Sequence, residues 1–403
     1  MKVIVCQHGS RHRYAIARIL EKNCRLAALY TDSSAASLLG RLAAMISPAM
    51  KNNSLTRLCH RKTEGVPIPK IYSSDVVVFR ELAAKICGRT VSEEEHWGQW
   101  LSVPMIRWGV PPGSIIYNMY CENLDFIRHA RTIAGVKIIT DMYIYPLQSS
   151  YLAGFDEKNK LPLTGIDSIP PEVLHEVCHL SDFILCPSAF VAQGVRLLAP
   201  DCIDKIRICP YGSSIQRDPL MAQKVQRGRF FWAGRNWFRK GLFLLADAAN
   251  DLKERYPDME FRAAGLTIDD VPDPLRYRNI NFLGNLNKQQ MHEEFQAADA
   301  FVFPTLCEGM AGVVIEAIAS GCPVITSRQA GVDGIRPGET GFLMEAGDCQ
   351  GLIQTMEKLY LDRSLRQRVA ANSVAAVDFY SEEAWGQRLN VILSEIDNLE
   401  RGQ

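Results

Sequence analysis

Short apolar runs alternate with amphipathic ones along most of this chain. The first run covers residues 2–6, ends in the polar turn Gln7-His8-Gly9-Ser10-Arg11, and leads into a helical pattern over 12–22 and a second apolar run over 25–31. Strand, glycine turn, helix and strand in that order open a doubly wound parallel sheet. The alternation continues with strands over 114–117, 136–141, 183–186 and 206–209 and helices over 76–89, 123–134, 168–181 and 189–198; a further helix start stands at 92. It resumes with strands over 229–234, 260–264, 281–286, 300–303 and 324–326 and helices over 242–254, 288–297, 311–320, 349–362 and 364–376. A capped start at Ser381-Glu382-Glu383 opens a last helix to about 399, with Trp385, Leu389, Ile392, Leu393 and Ile396 on one face.

The most informative stretch is FVFPTLCEGMAGVVIEAIASGCPVIT, residues 301–326. A buried strand closed by Pro304 turns through a loop into a small-residue helix, Gly321 ends that helix, and a second strand follows. Two acids interrupt this apolar run, Glu308 at the mouth and Glu316 inside the helix. Gly309 and Gly312 clear side chains from the loop, so its N–H groups and the positive helix start suit a phosphate. Glu316 lies one helical turn further in, roughly 6 Å along the axis, and a carboxylate accepts the two hydroxyls of a diol well. The plainer alternative has Glu308 capping the helix and Glu316 on a wet face. A second anion site is spelled by Gly234-Arg235, then Lys240-Gly241, between a strand and a helix: two cations five residues apart across a loop can bracket a diphosphate.

Residues 308–324 resemble the E-x7-E signature of the family 4 glycosyltransferases, which are retaining, nucleotide-sugar-dependent enzymes. Met310 and Ala311 stand where the usual pattern has an aromatic residue and a glycine. The resemblance continues through Gly331, Gly338, residues 340–343 and Gly347-Asp348, and upstream the residues 234–241 resemble the family's G-R-x4-K-G element. It implies the GT-B fold, an α/β architecture of two Rossmann-like domains facing each other across a cleft. It implies that Arg235 and Lys240 bind the donor's phosphates and act in catalysis with Glu308. It further implies that Gly9, Gly234, Gly309, Met310, Ala311, Gly312 and Glu316 line the donor site. A histidine of many members is replaced here by Asp141, a candidate sugar contact, and Pro210-Tyr211-Gly212 marks the end of a first domain. The expected organisation is a first domain over 1–212, a linker over 213–226, a nucleotide-sugar domain over 227–380, and a helix over 381–403 that crosses back.

Composition narrows the picture little. A chain of 403 residues with 47% hydrophobic and 22% charged content is ordinary for globular domains. Lysine plus arginine equals aspartate plus glutamate, 45 each, so no global charge favours nucleic acid. The 12 cysteines lack C-x2-C pairs and suit reduced thiols of a cytoplasmic protein. No signal peptide follows Met1-Lys2, and no apolar run reaches spanning length. Residues 38–62 combine Leu38, Leu39, Leu42, Met45 and Ile46 with Arg41, Lys51, Arg57, Arg61 and Lys62, a pattern for peripheral contact with an anionic membrane face or for a helix pair packed on the domain. Asp269-Asp270 is not a D-x-D metal motif, so the expectation is no cofactor and no obligatory metal, with phosphate charge met by protein cations. The expected substrates are a UDP-, GDP- or ADP-linked sugar and a glycan or lipid-linked acceptor. Two other readings stay open: a non-catalytic nucleotide-sugar-binding subunit, and a phosphorylase or hydrolase on the same fold.

Overall fold

A computed structural model describes residues 1–46, 61–86, 97–119, 123–159, 169–213 and 225–401. The expected helix start at 92, most of the basic stretch 38–62 and most of the linker 213–226 lie outside the described residues.

Two parallel sheets form the frame. The first contains β1 (Val3–Gln7), β2 (Leu26–Thr31), β3 (Ile71–Ser73), β4 (Ile115–Asn118), β5 (Lys137–Asp141), β6 (Phe183–Cys186) and β7 (Ile206–Ile208), in the spatial order β3-β2-β1-β4-β5-β6-β7. The second contains β8 (Arg229–Ala233), β9 (Glu260–Ala264), β10 (Ile280–Gly284), β11 (Ala300–Phe303), β12 (Val324–Ser327) and β13 (Phe342–Met344), in the order β10-β9-β8-β11-β12-β13. Strand order reverses between β1 and β4 in one sheet and between β8 and β11 in the other. Loops diverge there at the carboxyl ends of the strands and leave a crevice. The turn after β1 carries Gly9, the loop after β8 carries Arg235 and Lys240, and the loop after β11 carries Glu308.

The strands read as continuous apolar runs because both faces of each sheet are covered. In β1, Val3 and Val5 pack with Ile16, Leu20, Trp385, Leu389 and Leu393, whereas Ile4 and Cys6 point to the other face, with Leu101, Phe126 and Ile127. One cover of the first face is therefore the last helix, Glu382–Arg401, whose apolar stripe is Trp385, Leu389, Ile392, Leu393 and Ile396. Its charged flank is tied down as well: Glu382 pairs with Arg18 at 2.8 Å, and Asp397 accepts the Met1 ammonium at 2.9 Å and pairs with Arg25. The chain crosses between the sheets twice, side by side: Ser213 bridges to Ser381, and its N–H donates to the Tyr380 carbonyl at 2.8 Å.

Strands and helices at 183–186, 189–198, 260–264, 288–297 and 300–303 stand at the limits the sequence pattern predicts. The helix expected over 12–22 does not. His12, Arg13 and Tyr14 take left-handed φ values of 45°, 51° and 59°, and the regular helix begins only at Ala15. For L-residues this conformation costs about 1–2 kcal/mol each. Buried interactions enforce it: the Tyr14 side chain is wholly inside, and the buried Gln7 amide donates to the carbonyls of Gly9 and Arg11 at 3.0 and 2.9 Å. Pattern reading also misses the edge strand β3 and the helix Gln148–Asn159, neither of which carries a clear period.

Candidate active site

The loops after β8 and β11 are stapled to one another. Leu306 N–H and the Thr305 hydroxyl both donate to the Arg239 carbonyl, at 2.7 and 2.9 Å, and the Arg239 guanidinium donates to the Cys307 carbonyl at 2.9 Å. The Trp232 indole N–H donates to the Lys240 carbonyl at 3.0 Å. A Cβ on Gly234 would stand 2.4 Å from Cδ of Lys240 and 2.9 Å from the Trp232 ring, so glycine is needed there to let the lysine stem pass.

These staples bring two cations onto one acid. Arg239 Nη1 and Lys240 Nζ lie 2.8 and 2.9 Å from the same oxygen, Oε1 of Glu308. Burial pushes the Glu308 carboxyl up, but Lys240 and Arg239 outweigh it and hold the group below its ordinary range. Arg235, on the same loop, is exposed and makes no ion pair among the described residues. Three cations and one carboxylate leave two positive charges where strands β8 and β11 diverge. That excess suits a diphosphate.

The helix after the loop runs Gly312–Ala319. Gly312 opens it with nothing within 4 Å of a Cβ position, so its first turn faces free space. Glu316 is open to the cleft one turn further in. Packed protein raises its proton affinity, while Lys288 and Arg13 act the other way. An exposed acid beside an open helix start can accept the hydroxyls of a diol.

Gly309, Met310 and Ala311 are engaged differently from the expected donor contact. A Cβ on Gly309 would sit 1.8 Å from the Tyr143 carbonyl oxygen, and the Gly309 carbonyl accepts the Ser188 hydroxyl at 2.7 Å. Met310 turns its sulfur to the Tyr211 N–H, 3.2 Å away, and packs against the buried clusters of both domains. Ala311 N–H is committed to the Ala330 carbonyl at 2.8 Å and Glu308 N–H to Gln329 at 2.9 Å. These residues clamp the two domains and close the loop backbone. Ala189 N–H adds to the clamp by donating to Asp333 at 2.6 Å.

On the facing wall, Gly9 adopts φ +68° with open space around its Cβ position, and its N–H is held by Asp32 Oδ1 at 2.9 Å. Asp141 does not present a carboxylate to the cleft: it is 0% exposed, and its two oxygens accept the hydroxyls of Tyr117 and Tyr211 at 2.7 and 2.5 Å. The end of strand β5 is walled in by those rings, so the expected direct sugar contact gives way to a buried support for Tyr211. Burial raises the Asp141 pKa from 3.8 to about 6, against hydrogen bonds from Tyr211 and Tyr117 and the charge of Arg11. The folded protein therefore holds this proton more tightly than the unfolded chain. From that group, stability falls as pH rises between 3.8 and about 6. Urea unfolding of wild type and Asp141→Asn at pH 4.5 and 7.5 is expected to show the variant gaining relative stability at the higher pH; an unchanged difference would exclude a raised Asp141.

Sequence reasoning named Arg235 and Lys240 but missed Arg239, Arg11 and Arg13. Arg239 had a usable signal, being the residue before the motif lysine. The other two had none, because their placement depends on the left-handed turn. Asp270 closes a capping box with Thr267. Among the described residues His175, His179 and Asp201 could hold a metal ion, their ligand atoms lying within 4.8 Å of one another. They precede β6 and β7 and so sit at the sheet edge opposite the Gly9 turn.

Comparison with known proteins bears on the second domain and on the fold. Residues 227–362 match the family described as Glycosyl transferases group 1. The chain is 38% identical over 121 residues to the capsular polysaccharide biosynthesis glycosyltransferase CapM of Staphylococcus aureus, covering 29% of this chain and 27% of that protein. It is 26% identical over 202 residues to the sulfoquinovosyl transferase SQD2 of Arabidopsis thaliana, covering 46% and 39%. The chain thus spans less than half the length of these curated relatives. Among solved structures, Anabaena HepE in complex with UDP and glucose superposes with a TM-score of 0.62 over 98% of this chain and 100% of that one, at 14% identity. The two-sheet architecture is the GT-B fold.

Proposed function

We propose that this chain, whose residues 227–362 match the Glycosyl transferases group 1 family, moves a sugar from a nucleotide-sugar donor to an acceptor hydroxyl. One observation carries the reading: Glu308 gathers Arg239 and Lys240 onto a single oxygen, with the exposed Arg235 on the same loop as those cations, at the crevice between β8 and β11. In this reading Arg235 and Lys240 hold the donor diphosphate and stabilise it as it leaves. The open first turn at Gly312 receives phosphate, and Glu316 accepts the ribose hydroxyls. The bond from the anomeric carbon to the phosphate oxygen breaks, the acceptor oxygen bonds to that carbon, and the acceptor proton passes to the leaving phosphate. Transfer on one face of the sugar retains its configuration. It suits a cleft wall whose one acid at the end of strand β5, Asp141, is buried away from the sugar. Protein cations neutralise the phosphates, so a chelator is expected to leave turnover unchanged.

Those relatives are named for capsular polysaccharide biosynthesis and for sulfoquinovosyl transfer, and a glycan or lipid-linked acceptor is proposed here. No helix among the described residues is long and apolar enough to cross a membrane. The helix Leu38–Ile46 instead exposes Leu38 (65%), Leu42 (46%) and Met45 (80%) beside Arg41, which suits contact with an anionic membrane face. Sedimentation with anionic vesicles at low salt is expected to pull the protein down and high salt to release it; no binding at low salt ends the idea.

The test of the main reading is calorimetric titration with UDP, GDP and ADP, with Arg235→Ala/Lys240→Ala alongside. One nucleotide is expected to bind, and the double variant to lose at least tenfold in affinity. No binding by any of the three would overturn the donor site, and an inverted anomeric centre in the product would overturn the retaining path.

A further inference from the structure

The turn after β1 carries charge that the donor site does not use. The Arg11 guanidinium carbon lies 3.5 Å over the Tyr143 ring centroid. The Tyr143 carbonyl is the group against which Gly309 packs, so Arg11 sits beside the Glu308 loop. Arg13 is exposed, on the same turn, and close enough to Glu316 across the cleft to act on its carboxyl. Glu316 apart, the acids around this turn are committed elsewhere. Asp32 pairs with Arg61 at 2.7 Å and with His8 at 3.4 Å, Glu382 pairs with Arg18, and both oxygens of Asp141 are on tyrosine hydroxyls. Among the described residues neither Arg11 nor Arg13 forms an ion pair.

Two backbone donors of this turn are committed. Gly9 N–H is held by Asp32 and Arg13 N–H by the Ser10 carbonyl at 2.8 Å. The left-handed run His12-Arg13-Tyr14 fixes the turn at a conformational cost, and such strain persists where surrounding structure over-determines it. What this turn adds to its remaining backbone N–H groups is side-chain cations. Guanidinium forks suit phosphate and carboxylate.

We propose that Arg11 and Arg13 form a second anion site, on the first domain's side of the cleft, for a phosphate or carboxylate carried by a substrate. It rests on the transferase reading and adds the substrate's charge to it. The anion has two sources: a charged group on the acceptor, or the donor's own diphosphate reached from the opposite wall.

Calorimetry on the full chain separates them. Inorganic phosphate is titrated into wild type, Arg11→Ala/Arg13→Ala and Arg11→Lys/Arg13→Lys, each saturated with the nucleoside diphosphate that binds. Phosphate binding that drops at least tenfold in the alanine variant, with nucleotide affinity unchanged, supports an acceptor anion. A tenfold drop in nucleotide affinity, with no phosphate binding to the saturated protein, supports the donor diphosphate. Lysine is expected to retain part of either effect, and thermal unfolding checks that each variant folds. Phosphate and nucleotide affinities both unchanged in the alanine variant overturn the proposal. Should no nucleotide bind, the transferase reading fails separately. The phosphate titration is then run on Arg235→Ala/Lys240→Ala, where removing Arg11 and Arg13 must still abolish binding.

Discussion

Removing both cations from Glu308 is expected to destabilise the protein by about 3–5 kcal/mol, because a buried carboxylate is left with no counter-charge. In the intact loop Arg239 and Lys240 share one Glu308 oxygen, and that side chain is only 13% exposed. Lys240→Ala alone leaves Arg239 in place, so the loop is expected to fold with a smaller loss. Its nucleoside diphosphate affinity is expected to fall by about 1.5–3 kcal/mol, roughly 10- to 150-fold, the contribution of a hydrogen bond to a charged group. Arg239→Ala/Lys240→Ala combined with Glu308→Gln separates the two roles: removing the acid restores most of the stability and none of the affinity. Urea unfolding and calorimetry read both. Wild-type stability in the double variant would show that Glu308 is solvated and that its cations do not support the loop. The sign with pH opposes that of Asp141. Glu308 is held below its ordinary value, so its stabilisation is present above 4.5 and is lost as pH falls through its folded pKa.

Gly309→Ala is expected to cost turnover more than donor affinity. Its Cβ would stand 1.8 Å from the Tyr143 carbonyl oxygen, so one backbone must move by more than an ångström. Overpacking of this kind costs about 1–3 kcal/mol. The larger effect falls on geometry: the Ser188 bond to Gly309 and the Met310 contact with Tyr211 hold the two cleft walls in register. Misplacing reacting groups by about 1 Å lowers turnover on the order of 100-fold. Nucleotide affinity is expected to stay within a few fold, since Arg235, Lys240 and Glu316 all belong to the second domain. Gly312→Ala is the control, because nothing lies within 4 Å of its Cβ position and stability should be unchanged. Wild-type turnover in Gly309→Ala would remove this glycine from any role in joining the domains.

The strands were legible because each parallel strand is buried on both faces and must read as an apolar run, as 300–303 does. The paired loops were legible for a related reason: Lys240 and Glu308 lie within two short loops, 234–241 and 304–312, whose glycines and charges are local in sequence. Lys240 and Glu308 therefore meet with little help from distant parts of the chain.

Tertiary structure decided everything that depends on the meeting of the two walls. Gly309 and Met310 read locally as a ligand loop, but Tyr143 and Tyr211, more than 90 residues away, occupy the space beside them. Asp141 reads as a free acid at a strand end, yet two tyrosine rings enclose it. The turn at 11–14 has a helical pattern, and only the burial of Tyr14 and the Gln7 amide forces it left-handed, which places Arg11 and Arg13 on the cleft. Local periodicity follows from which face of an element is buried, and the sequence by itself carries that. Which atoms fill a gap between two domains depends on long-range packing, and no local pattern encodes it.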